Sequence, residues 1–531
     1  MMLVHAAALV AAFIIYKLTT SLLRERQFQA FAARHACAEP ADLSGPWYRR
    51  HERLQRLLNM RKSGEDVLDD VFSEDFRKSN THQRCIFEGS RVVATIEPAN
   101  MQAMLATQFQ DFETGHRRHQ QLGPLLGRSI FTSDGPFWEH SRALFRPQFS
   151  RENINDLEST NTAVSALISA LGPTDAETGW MKDVDILPLL YSFTLDTASD
   201  FLFGESVNSQ DAAIRANNPG AVVDVRRREG EEGGAGSPAT SPQFVRDLDV
   251  IGEHVVTRIR MASLYWLGDS LRFRKALKNV KQFTEPFVQR AIDSTITAKV
   301  PGQKNNLLSR LATQTQDREE LRNNILAILF AGRDTTSALL GWCFVRLAQH
   351  PDILAKLRKI VLTDFVEGEP ITFAKLKGCR YMQFFLNEVL RLHPTVPVNN
   401  RIAARDTTLP VGGGSDQSSP VAIRKGEVIM YSVYLMQRRK DLWGEDALEF
   451  DPSRWERKTV AWQFLPFNGG PRICIGQQFA LTEASFVLVR TLREFDRVEA
   501  VDAVEMSRFR KKIGLTMPPG DGVKIRLHRA M

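Results

Sequence analysis

The spacing of apolar residues along the chain predicts a protein built mainly of α-helices. Helical periodicity dominates from about residue 243 to 395, and no proline interrupts the chain between Asp317 and Pro351, so we expect one unusually long helix there. Asp317 with Glu320 three residues later forms a candidate capping box at the start of that helix. The apolar segment 479–489 predicts a second buried helix near the C-terminus.

Shorter stretches rich in β-branched residues predict a smaller amount of sheet. Residues 91–96 predict a strand in the N-terminal part of the chain. Residues 409–415, 421–423 and 428–431 predict a hairpin region with turn-rich connections. The expected fold class is therefore mainly α with small antiparallel β-sheets.

The N-terminus is apolar over a length that suits a membrane. Residues 3–16 are all apolar except His5, and leucines extend the stretch past Lys17. Because a helix of about 20 apolar residues spans a bilayer, residues 1–23 are predicted to be a transmembrane anchor. Arginines follow this segment and no basic residue precedes it, which places the rest of the chain on the cytosolic side. A cleaved signal peptide is the alternative, and the missing basic n-region disfavours it.

Composition changes along the chain suggest how the remainder is organised. Residues 24–60 are charged, helix-prone and broken by two prolines, which is typical of a connector. No linker divides the rest, so residues 61–531 are predicted to be one catalytic domain. Within it, residues 216–242 are rich in glycine, proline and charge, which predicts a flexible insertion loop on the surface.

Composition and charge exclude several classes of protein. With 43% hydrophobic and 25% charged residues, the 531-residue chain has the make-up of a globular enzyme. The net charge of +7 comes from scattered basic residues without a nucleic-acid-binding motif, so an acidic protein partner or anionic lipid is expected and nucleic acid is not. Five widely spaced cysteines argue against a disulfide framework and a zinc cluster and favour a reducing compartment.

One of these cysteines lies in a glycine-rich loop directly before the predicted C-terminal helix. Residues 467–476 read Phe-Asn-Gly-Gly-Pro-Arg-Ile-Cys-Ile-Gly, so the Cys474 sulfur is expected near a helix N-terminus, which favours a thiolate. A thiolate is the axial ligand that pushes electron density onto haem iron. Arg472 is placed to meet a haem propionate, and Phe467 to shield the sulfur from water. Taken alone, a cysteine in apolar surroundings is more often a small core residue.

This spacing, Phe-x-Gly-Gly-x-Arg-x-Cys-x-Gly, resembles the haem-binding signature of the cytochrome P450 family. Three further motifs stand in the family's order, and the resemblance covers roughly residues 85 to 510. It implies the cytochrome P450 fold, a triangular, α-rich single catalytic domain that holds haem b (iron protoporphyrin IX), behind an N-terminal transmembrane helix. The three motifs are Trp138-x-x-x-Arg142, Ala331-Gly-Arg-Asp-Thr-Thr336 and Glu388-x-x-Arg391 followed by Arg454.

The resemblance also implies roles for these residues. In the family the tryptophan and arginine of the first motif bind a haem propionate, which assigns cofactor binding to Trp138 and Arg142. Arg472 and Arg401 would add two further guanidiniums. The Glu-x-x-Arg motif and the later arginine form a buried triad that locks the loop carrying the iron ligand.

The second motif implies the proton relay. In the family this helical segment bulges so that dioxygen fits against it, and the acid and the first threonine deliver protons, which makes Asp334 and Thr335 the candidate catalytic residues. Taken alone, Gly332 and its hydroxyl neighbours are more often a close-packing site or a kink, and Asp334 a solvated charge. The apolar residues 325–330 before the motif predict an apolar substrate pocket.

Residues 469–485 and 407–414 are similar to the fungal membrane-bound branch of the family that hydroxylates alkanes and fatty acids. The resemblance implies a monooxygenase that uses O2 to hydroxylate an apolar C–H bond of a fatty acid, an alkane or a related lipid. The alternative is an oxidase that tailors a secondary metabolite such as a polyketide or terpenoid. An isomerase without electron supply and a non-catalytic haem-binding sensor or carrier are disfavoured, because neither needs Asp334 and Thr335.

The expected partners follow from what the sequence lacks. Residues 411–414 are glycine-rich but lack the strand, GxGxxG and helix of a nucleotide-binding fingerprint. Electrons from NADPH are therefore expected through a separate NADPH–cytochrome P450 reductase, with cytochrome b5 as a second candidate donor, docking near Arg472 and Arg146. We expect a monomer on the endoplasmic reticulum membrane, single-pass, with a cytosolic catalytic domain.

Overall fold

The chain forms two compact units of unequal size. The structure is a computed structural model that describes residues 2–63, 66–150, 157–218, 242–296, 306–457 and 460–530. The first unit comprises Met1–Glu113, Val398–Ser432 and Gly469–Pro471. The second unit comprises Thr114–Pro397, Val433–Asn468 and Arg472–Met531.

Most of the strands belong to the first unit, where they form a six-stranded sheet and a hairpin. In chain order the strands are β1 Ala41–Asp42, β2 Thr81–Cys85, β3 Arg91–Thr95, β4 Phe112–Glu113, β5 Val184–Asp185, β6 Val398–Ala403, β7 Thr407–Gly413, β8 Ser419–Ile423, β9 Val428–Ser432, β10 Phe495–Ala500 and β11 Lys524–Arg529. The six-stranded sheet has the order β1-β2-β3-β9-β6-β4, and β7 pairs with β8. The strand predicted at residues 91–96 is confirmed as β3. The predicted hairpin region forms three strands, of which β7 and β8 make the hairpin, whereas β9 belongs to the six-stranded sheet.

The pairing within the larger sheet differs from the expected antiparallel arrangement. β1 and β2 are parallel, and so are β3 and β9, whereas the other three pairs are antiparallel. β3 and β9 are more than three hundred residues apart in sequence, which is ample chain for the crossover connection that a parallel pair needs. In that second unit, β10, β11 and β5 form a separate antiparallel sheet.

The first unit begins with a helix longer than the predicted anchor. This helix runs from Met2 to Arg34, and its C-terminal part is fastened to the loop after β8: Glu25 pairs with Arg424 at 2.6 Å, and the Arg424 guanidinium lies 4.1 Å from the Phe28 ring. Over the described residues, no helix has both the length and the apolar character needed to cross a membrane. The other helical segments of this unit are Trp47–Arg49, Arg50–Ser63, Val67–Phe72, Ser73–Phe76, Pro98–Gln102, Ala103–Thr107 and Phe109–Asp111.

The second unit is helical and contains the large hydrophobic core. Its helical segments are Gly115–Leu126, Gly135–Phe145, Arg146–Phe149, Glu158–Leu171, Ile186–Phe203, Asp211–Asn217, Pro242–Arg260, Ala262–Gly268, Leu271–Ile296, Leu307–Ala312, Arg318–Gln349, Pro351–Asp364, Phe373–Gly378, Arg380–Leu392, Val433–Met436, Lys440–Trp443, Arg454–Arg457, Gln477–Glu494 and Ala503–Ser507. Of the predicted insertion 216–242, residues 219–241 lie outside the described residues.

The predicted long helix is confirmed as Arg318–Gln349, called the long helix below. The Asp317 carboxylate caps it by accepting hydrogen bonds from the N–H groups of Glu319 (2.8 Å) and Glu320 (3.1 Å). The Glu320 carboxylate accepts from the Thr315 hydroxyl at 2.9 Å, which replaces the return bond of the predicted capping box. Toward its C-terminal end the helix is buried on all sides, as expected for a helix without a polar face.

Candidate active site

The loop that carries Cys474 has the predicted relation to a helix. The helix Gln477–Glu494, called the cysteine helix below, begins three residues after Cys474, with Gly476 at its N-cap. The Cys474 N–H donates to the Phe467 carbonyl at 2.9 Å, which closes residues 467–474 into a compact turn. Phe467 thus contacts the cysteine through its backbone, and its role in shielding the sulfur stays a prediction.

A close backbone approach explains one of the loop glycines. Gly470 has φ of +66°, and a Cβ atom there would lie 1.7 Å from the Leu105 carbonyl oxygen. Only glycine fits such an approach, since every other residue carries a Cβ.

Cys474 is an exposed residue, although protein atoms closely surround its thiol. This burial raises the pKa of the thiol, while the Gly476 N–H and the Arg142 charge act in the opposite direction. The helix terminus therefore favours the thiolate as expected, but burial outweighs it. A metal cation would reverse the balance, because a coordinating thiol loses its proton outright.

Trp138, Arg142 and Arg472 lie together beside the cysteine. Trp138 is buried in the helix Gly135–Phe145, and its ring lies 4.2 Å from the Arg472 guanidinium and 5.9 Å from that of Arg142. Arg142 donates to the carbonyl of Ile473 at 3.0 Å, directly before Cys474. These three predicted cofactor-binding residues are thus neighbours, and their binding to propionates stays a prediction.

Asp134 is a member of this cluster that the sequence analysis missed. Its carboxylate pairs with Arg472 at 2.5 Å and accepts from the N–H groups of Thr114 (2.8 Å) and Gly115 (2.9 Å). Burial raises the pKa of Asp134, but these hydrogen bonds and the Arg472 charge outweigh burial and hold it below its ordinary value. The Asp-Gly-Pro sequence before a helix suggests an ordinary N-cap, yet this side chain makes no capping bond.

Arg401 lies in β6 of the first unit. It is 2% exposed, donates to the Asn400 carbonyl at 2.8 Å and lies 5.9 Å from the Tyr431 ring, and its Nε is buried without a hydrogen-bond partner. A buried donor of this kind is costly unless a ligand satisfies it. The predicted role of Arg401 toward a propionate is consistent with this and stays a prediction.

The proton-relay segment is a regular part of the long helix. The helix is continuous through residues 331–336, so the bulge implied by the resemblance is absent from this segment. The Thr335 hydroxyl donates to the Ala331 carbonyl at 2.7 Å, and a Cβ on Gly332 would meet Ala198 at an ordinary 3.8 Å. Gly332 is therefore not a close-packing site.

Asp334 is not a solvated charge. Burial raises its pKa, although the charge of Arg333, whose guanidinium lies 3.2 Å away, acts in the opposite direction. A carboxyl that keeps its proton to higher pH is suited to donate it.

The substrate pocket predicted from residues 325–330 is mostly hydrophobic core, because Ile325, Leu326 and Leu329 are fully buried.

The predicted structural triad is present. Arg391 makes two bonds to the Glu388 carboxylate, at 2.9 and 2.8 Å, and both residues are fully buried. Arg454 lies 3.5 Å from the same carboxylate, which also accepts from the Trp455 indole (3.0 Å) and the Asp451 N–H (3.1 Å). The ion pair is thus fully hydrogen-bonded, which is the condition for a buried pair to be tolerated.

Gln437 connects this triad to the segment just before residues 467–476, which are called the cysteine loop below. The sequence did not predict this role. It is fully buried, and its amide nitrogen donates to the carbonyls of Leu390 and Arg391 at 3.1 and 2.9 Å. Its amide oxygen accepts from the Leu465 N–H at 2.9 Å, just before the cysteine loop. No local pattern marks this glutamine, because its partners are distant in sequence.

The donor set of the second unit fits a haem. Cys474 offers one soft sulfur ligand, and all five cysteines, including this one, are free thiols. Two guanidiniums and an indole lie beside it, which suits a ligand that combines a metal centre with carboxylates. Cys474 would hold the iron, and Trp138 and Arg142 would face the carboxylates, whereas Arg472 already shares its charge with Asp134.

Comparisons with known proteins agree with this donor set. A model of the family described as Cytochrome P450 matches residues 48–524. A protein named Cytochrome P450 monooxygenase g430, from a Fusarium species, is 40% identical over 502 residues, which cover 93% of this chain and 85% of that protein. Cytochrome P450 52A13 of Debaryomyces hansenii is 38% identical over 540 residues, 99% of this chain and 96% of that protein.

A solved structure shares the fold at low sequence identity. The crystal structure of the cytochrome P450DA haem domain superposes with a TM-score of 0.69 at 21% identity and covers 89% of this chain and 95% of that one.

Proposed function

Because the chain belongs to the cytochrome P450 family, we propose that it is a haem-thiolate monooxygenase that hydroxylates an apolar C–H bond of a fatty acid, an alkane or a related lipid. The observation that carries the proposal is the Cys474 loop, where a single accessible thiol lies beside Arg142 and Trp138. A relative named a monooxygenase aligns with most of the chain and supports the same reaction class.

When bound, the haem supplies the oxidising chemistry on dioxygen, and the chain supplies position and protons. Cys474 would hold the iron, and Arg142 with Trp138 would orient the carboxylates of the cofactor. Burial raises the pKa of Asp334, which favours its protonated form, and Thr335 next to it can pass a proton on. The Thr335 hydroxyl must first turn away from the Ala331 carbonyl to which it donates.

The electron donor in this proposal is a separate NADPH–cytochrome P450 reductase, with cytochrome b5 as a second donor. The exposed Arg146 follows the helix that carries Trp138 and Arg142 and offers a positive charge close to them. An acidic partner docked there should associate more slowly as salt increases.

The N-terminal helix is proposed to anchor the monomeric enzyme in the endoplasmic reticulum membrane, with the catalytic part in the cytosol. Large apolar side chains of this helix are more than half exposed, among them Leu9, Phe13 and Leu22. Several large apolar side chains exposed on one helix are typical of a segment that meets lipid.

Binding spectra and product analysis test the proposal. Purified enzyme is titrated with fatty acids, alkanes, polyketides and terpenoids while the haem absorption band is recorded, and each binder is then incubated with reductase and NADPH. We expect a spectral shift and a hydroxylated product with a fatty acid or an alkane. Turnover restricted to polyketides or terpenoids would assign the enzyme to secondary metabolism instead.

A further inference from the structure

The proton-relay residue Asp334 belongs to a cluster of charges that reaches the surface. Arg333, the preceding residue, is 6% exposed and contacts two carboxylates: its Nη1 lies 3.2 Å from Asp334, and its Nη2 lies 2.7 Å from Asp249. Asp249 is on the helix Pro242–Arg260 and is 60% exposed, whereas Asp334 is 21% exposed. The buried Arg333 guanidinium therefore contacts both the exposed Asp249 carboxylate and the less exposed Asp334 carboxylate.

We propose that Asp249 is a positioning residue that, through Arg333, keeps Asp334 able to accept and donate a proton. The inference deepens the proposed function, on which it rests for the role of Asp334. Arg333 does not carry the proton itself, because a guanidinium is not deprotonated in proteins. Arg333 acts electrostatically, and the negative charge of Asp249 partly offsets the effect of the Arg333 charge on Asp334.

Three charged groups act on Asp334 from different elements. Burial raises the pKa of Asp334 most, the Arg333 charge lowers it, the Asp249 carboxylate raises it, and Lys512 lowers it. Lys512 has its own partner in Glu253, at 4.0 Å. Without the Asp249 charge, the Arg333 guanidinium would pair with Asp334 alone and stabilise the carboxylate.

Tyr191 faces the same cluster from the helix Ile186–Phe203. Its ring lies 5.0 Å from the Arg333 guanidinium, and burial raises the pKa of its hydroxyl far above the physiological range. Tyr191 therefore stays neutral and does not offset Arg333. The backbone of Arg333 is held as well, since its carbonyl accepts from the hydroxyls of Thr194 (2.9 Å) and Ser337 (2.8 Å).

The experiment titrates Asp334 directly in the full-length ferric enzyme, without turnover. Infrared difference spectra record the carboxylic-acid stretch across a pH series, and the band of Asp334 is assigned by its loss in Asp334→Asn. In Asp249→Asn the midpoint of this band should shift to lower pH, because Arg333 then stabilises the carboxylate unopposed. Asp249→Glu should restore the original midpoint, and Glu367→Gln, which removes an exposed charge elsewhere, should leave it unchanged.

Turnover provides the second readout. With reductase, NADPH and a substrate, Asp249→Asn should form product about tenfold more slowly and release more hydrogen peroxide, short of the roughly 10²–10⁴-fold loss expected when a proton donor itself is removed. Equal band midpoints in the Asp249→Asn variant and the parent enzyme would overturn the inference. A shifted midpoint with unchanged turnover would instead remove Asp334 from the relay while leaving its coupling to Asp249 intact.

Discussion

Cys474 is the residue with the clearest single test. Cys474→Ala removes the sulfur ligand, so the protein should be purified without haem or with haem that lacks the absorption band of a thiolate complex after reduction and carbon monoxide binding. Cys85→Ala, at a half-buried thiol in β2, is the matched control and should retain the parent spectrum. A parent spectrum in Cys474→Ala would show that another residue holds the iron.

At the scale of single residues, local sequence identified the chemistry but not its surroundings. The motif around Cys474 was sufficient to place it before a helix, because capping and glycine positions are local properties. The direction of its pKa shift was not predictable, since burial depends on residues distant in sequence. The same holds for Asp134, whose partner Arg472 is more than three hundred positions away.

At the scale of elements, the Glu388–Arg391 pair fixes the helix Arg380–Leu392 against the segment before the cysteine loop. Glu388→Gln should lower the free energy of unfolding by about 3–5 kcal/mol and reduce haem content, because Arg391 would remain buried without its counter-ion. The matched control is Arg49→Gln, which breaks an exposed pair with the same i,i+3 spacing and should leave stability unchanged. Denaturant titrations followed by haem absorbance measure both variants.

Equal stability of Glu388→Gln and the parent would mean that the buried pair does not contribute to the fold. Haem loss without a change in stability would restrict its role to the cysteine loop.

The cysteine helix contains a buried acid that makes stability depend on pH. Burial raises the pKa of Glu483 from its ordinary value of 4.5 to about 7, with a hydrogen bond from Thr197 opposing the shift. Below pH 4.5, Glu483 is protonated in both the folded and the unfolded state. Above pH 4.5 it ionises first in the unfolded chain, so the free energy of unfolding falls as the pH rises toward about 7.

Glu483→Gln keeps the size of this side chain and removes its titration. Its melting temperature relative to the parent should therefore rise by about 3 °C between about pH 5 and about pH 8. Melting curves measured across this range provide the test, with Glu367→Gln as the exposed control. A constant difference between the two proteins would show that Glu483 is ionised in the folded state.

The elements themselves were largely predictable, and their pairing was not. The long helix followed from the absence of proline and from the Asp317 cap. The parallel pairing of β3 with β9 could not be derived, because it joins strands separated by more than three hundred residues. Propensity describes a strand, whereas the order of strands depends on the path of the whole chain.

At the scale of the whole molecule, the N-terminal helix divides into two parts. Deleting residues 1–23 should release the protein from membranes and leave its haem spectrum unchanged, because Glu25 and Phe28 still bind Arg424. Deleting residues 1–34 should also lower the melting temperature, since these contacts are lost. Cell fractionation and melting curves compare the two truncations.

Continued sedimentation of the shorter truncation with membranes would show that a second surface contacts lipid. Equal melting temperatures of the two truncations would show that residues 24–34 do not stabilise the first unit.

The backbone contact at Gly470 limits how this loop can change during evolution. Even an alanine methyl group would overlap the Leu105 carbonyl oxygen, whereas a methyl at Gly476 would meet only the Phe149 ring, at 3.7 Å. In a library with both codons randomised and selected for coloured colonies, position 470 should remain invariant while position 476 admits small residues. The residues that this loop tolerates thus depend as much on the backbone carbonyl next to Gly470 as on the iron that Cys474 is proposed to bind.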